Sequence, residues 1–257
     1  MTEERPDKPP ENKTPGREPL GAKLPRRFYK DVEVIRDGDG YQIALDGRPV
    51  KTPKRAPLAV AHAPLAEAMA DEWRTQGDLI DPETMPMTKL VNTALDAVTG
   101  QEAAVAADIA AFAGSDLICY RAAHPNELVT LQARAWGPLL TWAHQDLGAR
   151  FVLAEGVMPV AQPNDALEAV AAVISDYDPL SLAGLHVMTT LTGSALIALA
   201  HAKGLLTAEE AWAAAHVDED FQISQWGADS DASARRARRW AEFQAASRLV
   251  GFVNDSG

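Results

Sequence analysis

The stretch FYKDVEVIRDGDGYQIALDGRPV, residues 28–50, carries a clear strand period. Val32, Val34, Tyr41, Ile43 and Leu45 alternate with polar residues, and Asp-Gly pairs stand where turns are needed. Alternation at period two puts one face of a strand on a core, and Asp-Gly accepts the positive φ of tight hairpin turns. The stretch predicts an antiparallel hairpin. Pro49, Pro53 and Pro57 punctuate the next residues, and LAVAH (58–62) can supply a further short strand.

Outward from the hairpin the period changes. In PLAEAMADEWRTQG (64–77), Leu65, Met69, Trp73 and Gln76 recur at helical spacing, with Pro64 suited to the first turn and Gly77 to the stop. Beyond Pro86 the strand signals fade. MTKLVNTALDAV (87–98), QEAAVAADIAAFAG (101–114), NELVTLQARAWGPLLTWAHQDLG (126–148) and DALEAVAAVISDY (165–177) each read as a helix. Asn126 is the expected N-cap of the third, where Pro138 should introduce a kink; Asp165 and Glu168 form a candidate capping box on the fourth.

The segment from Pro179 to Gly204 is apolar nearly all round and reads as one long buried helix, the central post of a bundle. His186, His201, Lys203 and several hydroxyls argue against a membrane span there. A helix starting at Thr207, with Glu210 in capping relation, and a last one from near Asp231 complete the chain. The last helix should bury Trp240, Phe243 and Val250 and display Arg235, Arg236, Arg238 and Arg239.

The expected class is therefore α+β: a polar tail over 1–24, a small antiparallel-sheet domain with a helix over 25–88, and a larger all-α helical bundle over 89–257. The tail, MTEERPDKPPENKTPGREP and onward, has too little apolar surface to order itself and lacks the apolar core of a secretory signal. Its acids Glu3, Glu4, Asp7, Glu11 and Glu18 are also unlike a mitochondrial presequence.

Composition removes several function classes. A net charge of -12 argues against nucleic acid as the main partner, because phosphate neutralisation needs clustered Lys and Arg. The lone Cys119 forms no internal disulfide, and beside Leu117, Ile118 and Tyr120 it reads as a small buried hydrophobe. Neither a P-loop nor a G-x-S-x-G elbow occurs, and Gly193-Ser194, within the apolar helix, reads as close helix packing. Of the scattered histidines only His216 has a metal-like neighbour, Glu219, without the further ligands of a di-iron bundle. No metal or cofactor is expected.

The segment HVDEDFQISQWG, residues 216–227, holds the main candidate site. On a helix continuous with the preceding residues, Trp212, His216, Glu219, Ile223 and Trp226 form one stripe, Val217 and Phe221 lie opposite, and Asp218 and Asp220 flank the tryptophans. Glu219, amid indoles, is the acid expected to be buried and needs a partner, either His216 or an arginine of the 235–239 cluster. Three readings are open: an internal ion pair, a surface for another protein, or an acid–base pair of Glu219 and His216 serving a small-molecule enzyme or ligand-binding protein through an interdomain pocket. Met85-Pro86-Met87 likewise reads as core filling or as an adaptable binding surface.

Taken together, RRFYKDVEV, LDGRPVKTP, EWRTQGDLIDPETMPMTKLVNTALD, GSDLICYRA, QARAWGPLLTWA and AWAAAHVDEDFQISQWG resemble the assembly chaperones of the F-type ATP synthase that hold the free alpha subunit. The likeness runs from Arg26 to Gly227. It implies a non-enzymatic role: binding the unassembled alpha subunit and shielding the surface a beta subunit later covers. It also implies a critical acid within VDEDFQISQWG, with Asp218, Glu219, Asp220, Gln222, Trp226 and Trp212 as the expected partner-binding residues. The expected location is cytoplasmic for a bacterial homologue, or the mitochondrial matrix for a mature eukaryotic form.

Overall fold

The computed structural model describes residues 24–156 and 160–254, so the expected tail, apart from Leu24, lies outside the described residues. Strands β1 (Val32–Asp37) and β2 (Gly40–Leu45) form the expected hairpin, with Val32 opposite Leu45 and Asp37 opposite Gly40. Short strands β3 (Arg48–Pro49) and β4 (Ala59–Val60) both pair with β2, which is thereby covered along both edges. The β2–β3 turn places Asp46 at φ 48° and Gly47 at φ 73°, the pair of positive values that a two-residue hairpin loop matched to strand twist needs. The Asp46 carboxylate accepts the backbone N–H groups of Lys30 and Asp31 at 3.0 and 2.9 Å, and these bonds hold its pKa below the usual carboxylate range.

Helix α1 (Ala63–Arg74) closes the inner face of the sheet. Ile43, Leu58, Leu65 and Met69 are wholly buried in one core, each side chain contributing about 1.5–3 kcal/mol. Two carboxylates then join the sheet module to the helices. Glu72 of α1 accepts the Met87 and Thr88 N–H groups, both at 2.7 Å, and so caps helix α2 (Pro86–Thr93) from outside it. Asp96 takes the Thr52 hydroxyl at 2.6 Å and the Lys54 N–H at 3.0 Å. Helix α2 spans the expected boundary at residue 88, and the core runs continuously past it. Met85 and Met87 are 3% and 2% exposed, which makes that segment core filling and removes it as a binding surface.

The helical body departs from expectation at several places. The single helix expected over 87–98 passes at Ala94 into a π-helical segment, Ala94–Val98, whose wider turn carries Asp96 to its partners. After α3 (Glu102–Ala113), β5 (Tyr120–Arg121) pairs in parallel with β6 (Ala154–Glu155), a ribbon too short for a period to reveal. Helix α4 (Asn126–Asp146) carries Pro138 inside it, and its N-cap is Pro125, not Asn126. Helix α5 (Asn164–Ser175) starts after Pro163 without the expected capping box; Asp165 accepts only the neighbouring Ala166 N–H, at 2.9 Å.

The largest correction concerns the expected central post. It is two helices, α6 (Pro179–Thr192) and α7 (Ala195–Ala202), parted at Gly193 and Ser194. Gly193 adopts the left-handed φ of 68° that ends α6, and Ser194 caps α7 by accepting the Ile197 N–H at 3.0 Å. The wholly buried Asp116 reaches into this break, accepting the Leu196 N–H at 3.1 Å and the Ile118 N–H at 3.2 Å. The α+β class holds, with α8 (Ala208–Ala215), α9 (Val217–Trp226) and α10 (Ser230–Asn254) completing the body. Helix α10 lies close on α6 at Gly184, where a Cβ would stand 2.7 Å from Val250 Cγ2. Among the described residues no helix is long and apolar enough to cross a membrane.

Candidate functional site

The candidate segment folds as a knee. Helix α8 begins at the expected capping box, where the Thr207 hydroxyl accepts the Glu210 N–H at 3.2 Å and the Glu210 carboxylate accepts the Thr207 N–H at 2.8 Å. It stops at His216, whose backbone (φ −118°, ψ 19°) is not helical, and α9 departs from there. Two side chains take up the carbonyls freed at the stop. The Trp136 indole N–H donates to the Ala214 oxygen at 2.7 Å, and His216 Nδ1 lies 2.7 Å from the Trp212 oxygen, so Nδ1 carries the proton.

The break dissolves the continuous stripe expected from Trp212 to Trp226. Trp212 is 8% exposed and packs on His216 at 4.0 Å between ring centroids, on Trp240 at 5.3 Å and on Phe243 at 5.4 Å. It is a core residue and leaves the set of exposed contact residues. Trp226, at the far end of α9, is 80% exposed. Gln222 is exposed beside it, Ile223 is half-buried, and Glu219 stands one turn earlier on the same outward face. The inward face of α9 is Val217 and Phe221, packed toward α4.

The three acids occupy the first turn of α9, where the helix dipole favours them. Asp218, not Glu219, is the one fastened inward: it accepts the Gln132 side-chain amide at 2.7 Å. Glu219 lies 3.8 Å from His216 Nε2, too far for a hydrogen bond. His216 is held below its ordinary pKa, chiefly by burial and further by Arg236 and Arg239, despite opposing pulls from the Trp212 carbonyl and Glu219. It is therefore neutral near pH 7, and no ion pair binds it to Glu219. Asp220 is exposed and pairs with Arg236 of α10.

On the Val217–Phe221 side of α9 a groove of about 930 Å³ runs between α4, α8 and α9. Leu131, Pro138, Leu205, Val217 and Phe221 give it an apolar floor, and Glu127, Glu210 and Asp220 stand among its walls. Leu131 and Leu205 are 40% and 46% exposed there, two of the few large apolar side chains the described surface leaves open. The groove escaped sequence reading because its residues come from three elements; the LL pair in the α7–α8 turn was the one local signal. Neither Glu219 nor His216 lines it, so the acid–base pair has no cavity there. Cys119 is wholly buried with its thiol pushed up to about 12 by burial, unsuited to nucleophilic chemistry. Among the described residues no three His, Cys, Asp or Glu side chains gather as metal ligands.

This knee and groove sit on a chain with recognisable relatives. The family described as ATP12 chaperone protein matches residues 26–144. Protein atp12, mitochondrial, of Schizosaccharomyces pombe is 24% identical over 219 residues, covering 80% of this chain and 75% of that protein. Among solved structures, the Agrobacterium tumefaciens protein Atu1473 superposes with a TM-score of 0.86 at 47% identity, covering 90% of this chain and 87% of that one. Atp12 from Paracoccus denitrificans superposes with a TM-score of 0.82 at 38% identity, over 89% of this chain and 98% of that one.

Proposed function

This chain belongs to the ATP12 chaperone family of ATP synthase assembly, and from that premise we propose that it binds the unassembled alpha subunit of the F-type synthase. In this reading the outward face of α9 (Glu219, Gln222 and Trp226, with Asp218 and Asp220 at its start) and the neighbouring groove meet the subunit's exposed beta-facing surface. They shield that surface until assembly displaces the chaperone, and they perform no reaction there. An orphan subunit with its interface bare would otherwise aggregate.

One observation carries the reading: Trp226, 80% exposed, ends a helix whose first turn carries three acids and whose Val217 and Phe221 line an apolar groove. Tryptophan is among the preferred anchors of protein interfaces, and the surrounding negative charge keeps the free chaperone soluble while steering a basic surface toward it. The bacterial relatives stand at higher identity than the fission yeast one, which supports a cytoplasmic site of action. The test is capture of free alpha subunit from cells lacking the beta subunit, with wild-type protein and with Glu219→Lys/Asp220→Lys. The reading expects capture by the wild type and its loss in a variant that remains folded. Equal capture by both proteins removes α9 from the contact.

A further inference from the structure

A second groove lies on the opposite side of α4. It has about 360 Å³ and is lined by Arg121, Val129, Ala133, Gly137, Leu140 and Leu153 together with Gln132. At 100° per residue, Val129, Ala133, Gly137 and Leu140 fall on the face of α4 facing away from Leu131 and Pro138. Its floor is open: a Cβ built on Gly137 would meet nothing within 4 Å, and Leu153 at its rim is 51% exposed.

Among the described residues Arg121 is its only charged lining residue. The guanidinium lies over the Trp136 ring, 5.1 Å from the centroid, and Nε is buried with no hydrogen-bond partner. Arg74 is answered by Glu67 and Asp71 and Arg236 by Asp220, while Arg121 is set apart from the remaining arginines by its buried, unpartnered Nε. Among the described residues none pairs with Arg121. Guanidinium stays charged at any physiological pH, so this cation has surrendered part of its hydration without gaining an anion.

We propose that this groove receives an Asp or Glu side chain carried on an apolar segment of the client subunit, giving a second contact of opposite polarity to the α9 acids. The inference rests on the reading of an alpha-subunit client. A carboxylate matches the guanidinium fork in two parallel hydrogen bonds, and the apolar walls require an apolar body behind it. A phosphate fits less well, since among the described residues the groove offers a single cation.

The test measures affinity of the full chain for purified alpha subunit with Arg121→Met, Arg121→Lys and Ala133→Leu, each checked for a native unfolding midpoint. In parallel a photo-cross-linking residue replaces Leu153. Arg121→Met should weaken binding roughly tenfold to a hundredfold, with Arg121→Lys recovering part of the loss. Ala133→Leu, at an exposed helical position, should weaken binding by obstructing the groove while the fold is kept, so the test remains decisive even if Arg121→Met unfolds. The cross-linked client peptide should contain an acid among apolar residues. Affinities of Arg121→Met and Ala133→Leu within about twofold of wild type, or a cross-linked peptide without an acid, overturn the inference and leave the α9 reading standing. Failure of the wild type to bind alpha subunit removes both.

Discussion

Gln132 holds Asp218 at 2.7 Å through its amide nitrogen while its oxygen accepts the Ala122 N–H at 2.8 Å. One buried side chain thus ties the start of α9 to the strand end beside Arg121, and the two proposed contact regions share a support. Gln132→Ala strands a part-buried backbone donor and frees Asp218. It should cost about 1–3 kcal/mol of stability, measured by urea unfolding.

The two tryptophans of the candidate segment should separate cleanly. Trp212→Ala opens a hole among Trp240, Phe243 and His216 and should cost about 3–5 kcal/mol in denaturant titration. Trp226→Ala should leave stability within about 0.5 kcal/mol of wild type. It should nevertheless weaken alpha-subunit binding by about 2 kcal/mol or more.

Asp116 makes stability depend on pH in a distinctive direction. Burial pushes its pKa up from 3.8 to about 6, against the hydrogen bonds from Ser194, Leu196, Ile118 and Ala195 that favour the carboxylate. The folded state holds this proton more tightly than the unfolded state. The group's stabilisation is therefore complete below pH 3.8 and is lost as pH rises through about 6. The loss is roughly 3 kcal/mol by the usual conversion of pKa to free energy. Subtracting the pH–stability curve of Asp116→Asn from that of wild type should reveal this fall between pH 4 and 7; a flat difference contradicts it.

Close approach of α6 and α10 depends on a missing side chain. Gly184→Ala sets a methyl group 2.7 Å from Val250 Cγ2 and 3.1 Å from the Ala246 oxygen. It should destabilise by about 1–3 kcal/mol despite alanine's better helix propensity. The paired variant Gly184→Ala/Val250→Ala should recover part of that loss, measured by thermal unfolding.

Legibility in the sequence tracked the range of the forces involved. The hairpin, the Asp-Gly turn at 46–47 that follows it and the Thr207 capping box were readable because their causes lie within a few residues. The break at Gly193-Ser194 was not, since the apolar run continues across it and the buried acid that fills it comes from Asp116, far back in the chain. The stop at His216 carries no glycine or proline; it is fixed by Trp136 from α4 and by a ring folding back on its own helix. That one break separated Trp212 from Trp226 and exchanged the expected places of Asp218 and Glu219. Arg121 and the two grooves flanking α4 are purely tertiary, and no local pattern announces them.

Trp226 has a further use. Of the six tryptophans it alone is exposed, the others being buried or partly covered. Its fluorescence should therefore be the long-wavelength, quencher-accessible fraction of the protein's emission. Any occupant that covers α9 will shift that fraction to the blue and shelter it from iodide, so the chaperone carries its own label-free optical gauge of occupancy.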